Sequence, residues 1–230
     1  MKTLGLIGGM SWESTMPYYR IVNERVRERL GGLHSAKLVL HSVDFAAIEA
    51  LQRADDWVAA GAILADAARG LRAAGAEAIV VCTNTMHLVA PAIEAAVDVP
   101  LLHIADATAA RIRAAGLDTV ALLGTRFTME RDFYRARIEA AGIAVLTPAV
   151  ADREAVHRVI YEELCLGRIR EESRAAYRAI IAGLVARGAQ GAILGCTEIG
   201  LLIGESDAPV PLFDTARIHA EAAADWALAG

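Results

Sequence analysis

Two cysteines stand in matching surroundings: AIVVCTNT (78–85) holds Cys82 and AILGCTEI (192–199) holds Cys196. In both, an apolar run ends on the thiol, and Thr and a further polar residue follow. A thiolate is a base and a thiol an acid. Two of them on opposite sides of one carbon could remove a proton from one face and return one to the other, as stereoinversion without a cofactor requires. A weakly acidic C–H also needs fixed donors for the anion that develops, in a pocket closed to water. Thr83, Asn84 and Thr85 after the first thiol and Thr197 after the second are the candidate donors. They stand where helices should start and where free backbone N–H groups suit a carboxylate, although plain N-capping would use the same residue types. The same positive helix ends are expected to favour the thiolate of each cysteine. His87 and Glu198 lie within a turn of the thiols and could orient a thiol or a substrate amine.

Taken singly, either cysteine reads as a small buried hydrophobe, and it is the pairing that points to chemistry. Cys165 has no strand before it and reads as structural.

The elements that must position these residues are legible from the hydrophobic pattern. Short apolar runs at 3–8, 37–42, 78–82 and 100–104, then at 119–124, 144–147, 192–196 and 210–213, alternate with helical periods, as in parallel βαβ units. Before Cys82, the residues Ala60, Ile63, Leu64, Ala67 and Leu71 make a helical stripe that ends at Gly75. Before Cys196, Tyr177, Ile180, Ile181 and Leu184 do the same and end at Gly188. The halves also match at TLGLIGG (3–9) with TVALLGT (119–125), and at VPLLHIAD (99–106) with VPLFDTA (210–216), all at a nearly constant offset.

The chain is therefore expected to form two similar α/β domains, 1–112 and 113–213, each with a four-stranded parallel sheet flanked by helices. A pseudo-two-fold axis should relate them, and a last helix within 214–230 should pack back on the first. Ligands of open parallel sheets bind beyond the carboxyl ends of the strands, so two such edges facing one another would make a cleft. Gly8, Gly9, Met10 and Ser11, and in the second half Thr125 and Thr128, would line it.

Composition narrows the partners. With 230 residues, 55% hydrophobic and only 5% aromatic, the chain can bury an aliphatic core. A net charge of −5 without basic blocks argues against nucleic acid and membrane surfaces, leaving a small molecule. The apolar run at the N-terminus is too short for a signal segment or a membrane span, so a cytoplasmic protein is expected. Three cysteines without C-x-x-C spacing fit free thiols in a reducing compartment. The six histidines show no H-x-x-x-H pair, so no metal is expected and each reads as a surface or supporting residue. Residues 5–9 lack the spacing of a dinucleotide fingerprint.

These motifs resemble the aspartate/glutamate racemase family, whose members carry a C-x-N-T motif in the first half and G-C-T-E in the second. Here they read Cys82-Thr83-Asn84-Thr85 and Gly195-Cys196-Thr197-Glu198, and GGMSWEST (8–15) is similar to the amino-acid racemase branch. The resemblance covers essentially the whole chain. It implies two flavodoxin-like domains, proton transfer by the two cysteines without PLP or another cofactor, an amino-acid substrate and commonly a homodimer. Glutamate racemases of the family carry Asp-Ser-Gly after the first strand, where this chain has Gly8-Gly9-Met10-Ser11. Aspartate-selective relatives carry an Arg and a Lys where this chain has Phe45 and Cys165. Gln52, Arg53 or Arg126 could compensate, and a wider set of substrates, such as homoserine and other neutral amino acids, is the other expectation. Hydantoin racemase or maleate isomerase chemistry, or binding of an amino acid without turnover, are the rival readings.

Overall fold

The computed structural model describes residues 1–229. Its first sheet is built around β1 (Leu4–Gly8), buried at every position, with β2 (Leu38–Ser42) on one side and β3 (Ala78–Val81) on the other. β4 (Leu101–Leu102) extends β3, giving the all-parallel order β2-β1-β3-β4. The second sheet repeats it: β5 (Thr119–Gly124), β6 (Ala144–Leu146), β7 (Gly191–Gly195) and β8 (Leu212–Asp214) run in the order β6-β5-β7-β8, also all parallel. This is the doubly wound, flavodoxin-like order. Helices cover both faces of such a sheet, which is why β1, β3 and β7 read as unbroken apolar runs rather than alternating ones.

Among the described residues ten α-helices connect the strands and an eleventh follows β8. In the first half these are α1 (Trp12–Leu30), α2 (Phe45–Arg53), α3 (Trp57–Ala73) and α4 (Ala90–Glu94). α5 (Ile104–Ala114), α6 (Arg126–Glu130), α7 (Asp132–Ala140), α8 (Val150–Glu162), α9 (Glu171–Ala186), α10 (Ile199–Leu202) and α11 (Thr215–Leu228) follow. The expected stripe on α3 is present with one correction. Ala60, Leu64, Ala67, Ala68 and Leu71 are buried, whereas Ile63 is 37% exposed, because it sits about a quarter turn to the side of the others. α9 buries Tyr177, Ile180, Ile181 and Leu184 as expected. Gly75 (φ 93°) and Gly188 (φ 105°) follow the two helices in the left-handed region that ends a helix without a Cβ penalty.

By its contacts the chain divides into two compact units, Met1–Ile104 with the chain from His219 onward, and Ala105–Ile218. In the first unit Ile7, Ile48, Leu64, Leu71, Ile79, Val81 and Met86 form one core. The end of α11 belongs to that unit: the Lys2 amide donates to the Ala227 carbonyl (2.9 Å) and the Arg25 guanidinium grips both Asp225 oxygens (3.0 Å each). In the second unit Leu123, Val159, Ile160, Leu164, Tyr177, Ile181, Leu194 and Ile199 form the other core, and Cys196 packs at its margin. Among the described residues no helix is long and apolar enough to cross a membrane.

Candidate active site

In the first unit Cys82 is the residue after β3, its N–H bonded to the Ile7 carbonyl (2.9 Å), so the thiol is held at the carboxyl edge of the sheet. It is 0% exposed, and Thr83, Asn84 and Thr85 beside it are buried too. The turn after β1 passes the same edge. Gly9 there has φ 91°, and its N–H donates to the Thr15 hydroxyl (2.9 Å), which in turn donates to the Ser11 carbonyl (2.8 Å). Met10 lies in the core with Ile48 and Met86, and the Gln52 amide donates to the Met86 sulfur (3.1 Å). Phe45 packs half-buried against the same core.

The expectation that helix ends favour the thiolate is overturned in this state. Burial pushes the Cys82 thiol well up from its ordinary range. The segment after it opens as a 3-10 turn (Thr85–Val89) that runs directly into the short α4, and Asn84 at its start makes no side-chain cap bond, so desolvation outweighs the dipole this short segment supplies. Capping therefore does not account for Asn84.

A second departure concerns the histidines. His87, His103 and His219 are all buried, and their rings meet: His87 lies 4.4 Å from His103 and 5.8 Å from His219 between centroids. Partner chemistry sets two of the tautomers. His87 Nδ1–H donates to the Thr83 carbonyl (2.8 Å) while its Nε2 accepts from the Ile104 N–H (3.3 Å). His219 Nε2–H donates to the Leu102 carbonyl (2.7 Å) while its Nδ1 accepts from the Tyr18 hydroxyl (3.0 Å). Burial holds both rings neutral, lowering His87 well below its ordinary value and His219 to about 4. Nothing in the spacing announced this cluster, because His219 reaches it from the far end of the chain.

In the second unit Gly124 and Gly195 pair at the ends of β5 and β7. The backbones are so close that a Cβ on Gly124 would stand 2.7 Å from the Gly195 carbonyl oxygen. Thr125 caps α6, its hydroxyl 3.3 Å from the Thr128 N–H and 3.2 Å from the Thr128 hydroxyl. Cys196 follows β7 and is 6% exposed. Its thiol donates to Glu198 Oε2 (2.9 Å), and the Thr197 hydroxyl donates to the same oxygen (2.8 Å). Burial first, then the Glu198 carboxylate and Cys165, push the Cys196 thiol well up, while the Glu198 backbone N–H works the other way. α10 has four residues, so here too the dipole expected from sequence is small. Cys165 sits in the 3-10 turn Leu164–Leu166 and packs against the core that holds Cys196. It is therefore a neighbour of the candidate site. The Arg126 N–H bonds to His157 Nδ1 (3.2 Å).

Each edge thus brings a thiol together with hydroxyls, amides and backbone N–H groups, and either thiol could give up a proton only where its anion is stabilised.

Comparison with known proteins identifies similar chains. A family model described as Asp/Glu/hydantoin racemase matches residues 7–223. A Yersinia pestis structure described as a candidate Asp/Glu racemase is 63% identical, with a TM-score of 0.91 over 99% of this chain and 100% of that one. A Pyrococcus horikoshii aspartate racemase homologue is 37% identical, with a TM-score of 0.85 over 99% and 100%. An aspartate racemase from Picrophilus torridus, 20% identical with a TM-score of 0.82 over 99% and 94%, shares the fold.

Proposed function

The chain belongs to the Asp/Glu/hydantoin racemase family and is an enzyme of the racemase type, and from that premise we propose that it inverts the α-carbon of an amino acid without PLP, with Cys82 and Cys196 as the two acid/base thiols. The observation that carries this reading is the equivalence of the two cysteines. Each is the first residue beyond the third strand of its half, β3 or β7, in sheets of the same order. Carboxyl edges are where parallel sheets hold ligands. One thiolate takes the α-proton while the other thiol returns a proton from the opposite face, and the roles exchange with substrate handedness. Thr83, Asn84, Thr85, Thr125, Thr128 and Thr197 are the donors for the α-carboxylate as it gains enediolate character, and Met10 and Gln52 complete the first wall. Cys82 has no exposed surface, so substrate entry requires a local opening of the turns around it.

Aspartate and glutamate are the substrates the family name carries. Phe45 and Cys165 favour a wider set, including neutral amino acids such as homoserine, because a side-chain carboxylate would meet no fixed cation from either position.

The test is incubation with L- and D-amino acids in heavy water, without added PLP or metal, followed by chiral separation and mass analysis of the α-position. Inversion with one solvent deuteron incorporated, reduced at least about a thousandfold in Cys82→Ala and in Cys196→Ala, is the expected result. Absence of exchange for every amino acid, in folded protein with reduced thiols, would reject the reading in favour of hydantoin or maleate chemistry or of binding alone.

A further inference from the structure

The two thiols are not equivalent in their charge surroundings. Cys196 donates to Glu198 Oε2 at 2.9 Å, and Thr197 donates to the same oxygen at 2.8 Å, so both hydrogens converge on one carboxylate oxygen that is 1% exposed as a residue. At the matching place after Cys82 stands neutral Asn84. Glu198 occupies the N-cap position of α10 but makes no side-chain cap bond there, so capping does not explain it. The other titratable groups that influence Cys196 are Cys165, from the 3-10 turn after α8, and Tyr177, from α9, which itself feels Glu163. None of these is a cation that would stabilise a thiolate.

We propose that Cys196 and Glu198 work as one acid/base unit, in which the Glu198 carboxylate takes the Cys196 proton when that thiol must act as a base. The inference rests on the racemase reading and assigns Glu198 to the thiol rather than to the substrate. In the resting site both cysteines are thiols and Glu198 carries the one negative charge. Transfer of the thiol proton along the existing hydrogen bond turns Cys196–SH and Glu198–COO⁻ into Cys196–S⁻ and Glu198–COOH. The thiolate then takes the α-proton and becomes a thiol, and Cys82–SH gives its proton to the opposite face and is left as the thiolate. Counted with the substrate, protons and charge balance at each step: the negative charge passes from Glu198 to Cys196, to the substrate carbanion and then to Cys82. The opposite handedness runs the same steps in reverse, and the resting site is restored when Glu198 releases its proton and Cys82 takes one up through solvent. The physical gain is that a thiolate forms without adding a second charge to a buried site, where desolvation of an extra anion is the dominant cost. The Glu198 backbone N–H, which already favours the Cys196 anion, is placed to receive it.

Glu198→Gln keeps the size of the side chain and an acceptor oxygen but can neither hold the charge nor take the proton. The experiment measures alkylation of Cys196 by a small haloacetamide across neutral and alkaline pH, resolved by peptide mass, beside steady-state racemisation. Circular dichroism and thermal midpoints establish that the variant is folded. Loss of the neighbouring carboxylate should lower the pH midpoint of Cys196 alkylation by about one unit, making it roughly tenfold faster at a fixed pH below both midpoints. Turnover should fall at least about tenfold in the same variant, and Glu198→Asp should restore part of it. A thiol that becomes more reactive while the enzyme becomes slower is a result no packing role produces. An unchanged alkylation midpoint, or a lowered midpoint with full turnover, would overturn the proposal. If the native protein racemises nothing, the racemase reading fails, whereas the alkylation profile still reports whether Cys196 and Glu198 share a proton.

Discussion

At Cys82 and Cys196 desolvation outweighs the local field. A helix end contributes typically a few tenths to one kcal/mol over its first turn, whereas full burial of an ionisable group can shift it by several pKa units, each worth about 1.4 kcal/mol. Both thiols accordingly rest protonated, and the anion each must become has to be supplied with compensation by a neighbour or by the substrate. Residue chemistry also bears on selectivity. Cys165 is a half-buried thiol packed near Cys196, where a cation could meet a side-chain carboxylate. Cys165→Lys should raise the aspartate-to-homoserine ratio of kcat/KM by roughly tenfold, about 1.4 kcal/mol, measured by competition between the two substrates. An unchanged ratio would remove this position from substrate recognition.

At the scale of elements, the turn after β1 and the end of α3 pose the same backbone problem with different surroundings. Gly9 and Gly75 both have positive φ, at 91° and 93°. A Cβ on Gly9 would collide with the Val43 carbonyl oxygen and lie 2.8 Å from the Ser42 hydroxyl, whereas one on Gly75 would meet nothing within 4 Å. Gly75→Ala therefore carries only the backbone penalty, about 1 kcal/mol, while Gly9→Ala adds a clash with main chain and should cost at least about 3 kcal/mol. Denaturant midpoints of the two variants measure the difference. Equal midpoints would mean that the β1 turn relaxes freely and does not hold Met10 and Ser11 in place.

For the molecule as a whole, the buried histidine cluster joins residues from α1, the turn after Cys82, the β4 edge and α11 within the first unit. His219 is held at about 4 in the folded protein against an ordinary 6.5, so between these values the unfolded chain binds the proton and the folded chain does not. Stability is therefore complete above about 6.5 and falls as the pH drops toward about 4, by roughly 3 kcal/mol from this residue, with His87 acting in the same direction. Thermal midpoints measured down that range should fall steeply in the native protein and less steeply in His219→Gln. Parallel slopes would show that other groups govern acid unfolding.

Much of this protein was legible in its sequence because the relevant signals are local. Strand runs such as 119–124, the stripe on α3, the repeated motifs around Cys82 and Cys196 and the last helix all follow from periodicity and from residues adjacent in the chain. Burial, by contrast, is a property of what packs from elsewhere. Tertiary structure alone decided that both thiols are pushed up rather than down, that Glu198 turns its carboxylate onto Cys196, and that Cys165 packs beside the same core. It also decided that His219, more than a hundred residues from His87, completes a buried ring cluster, because a single sequence shows which side chains are available but not which distant ones share a dry interior.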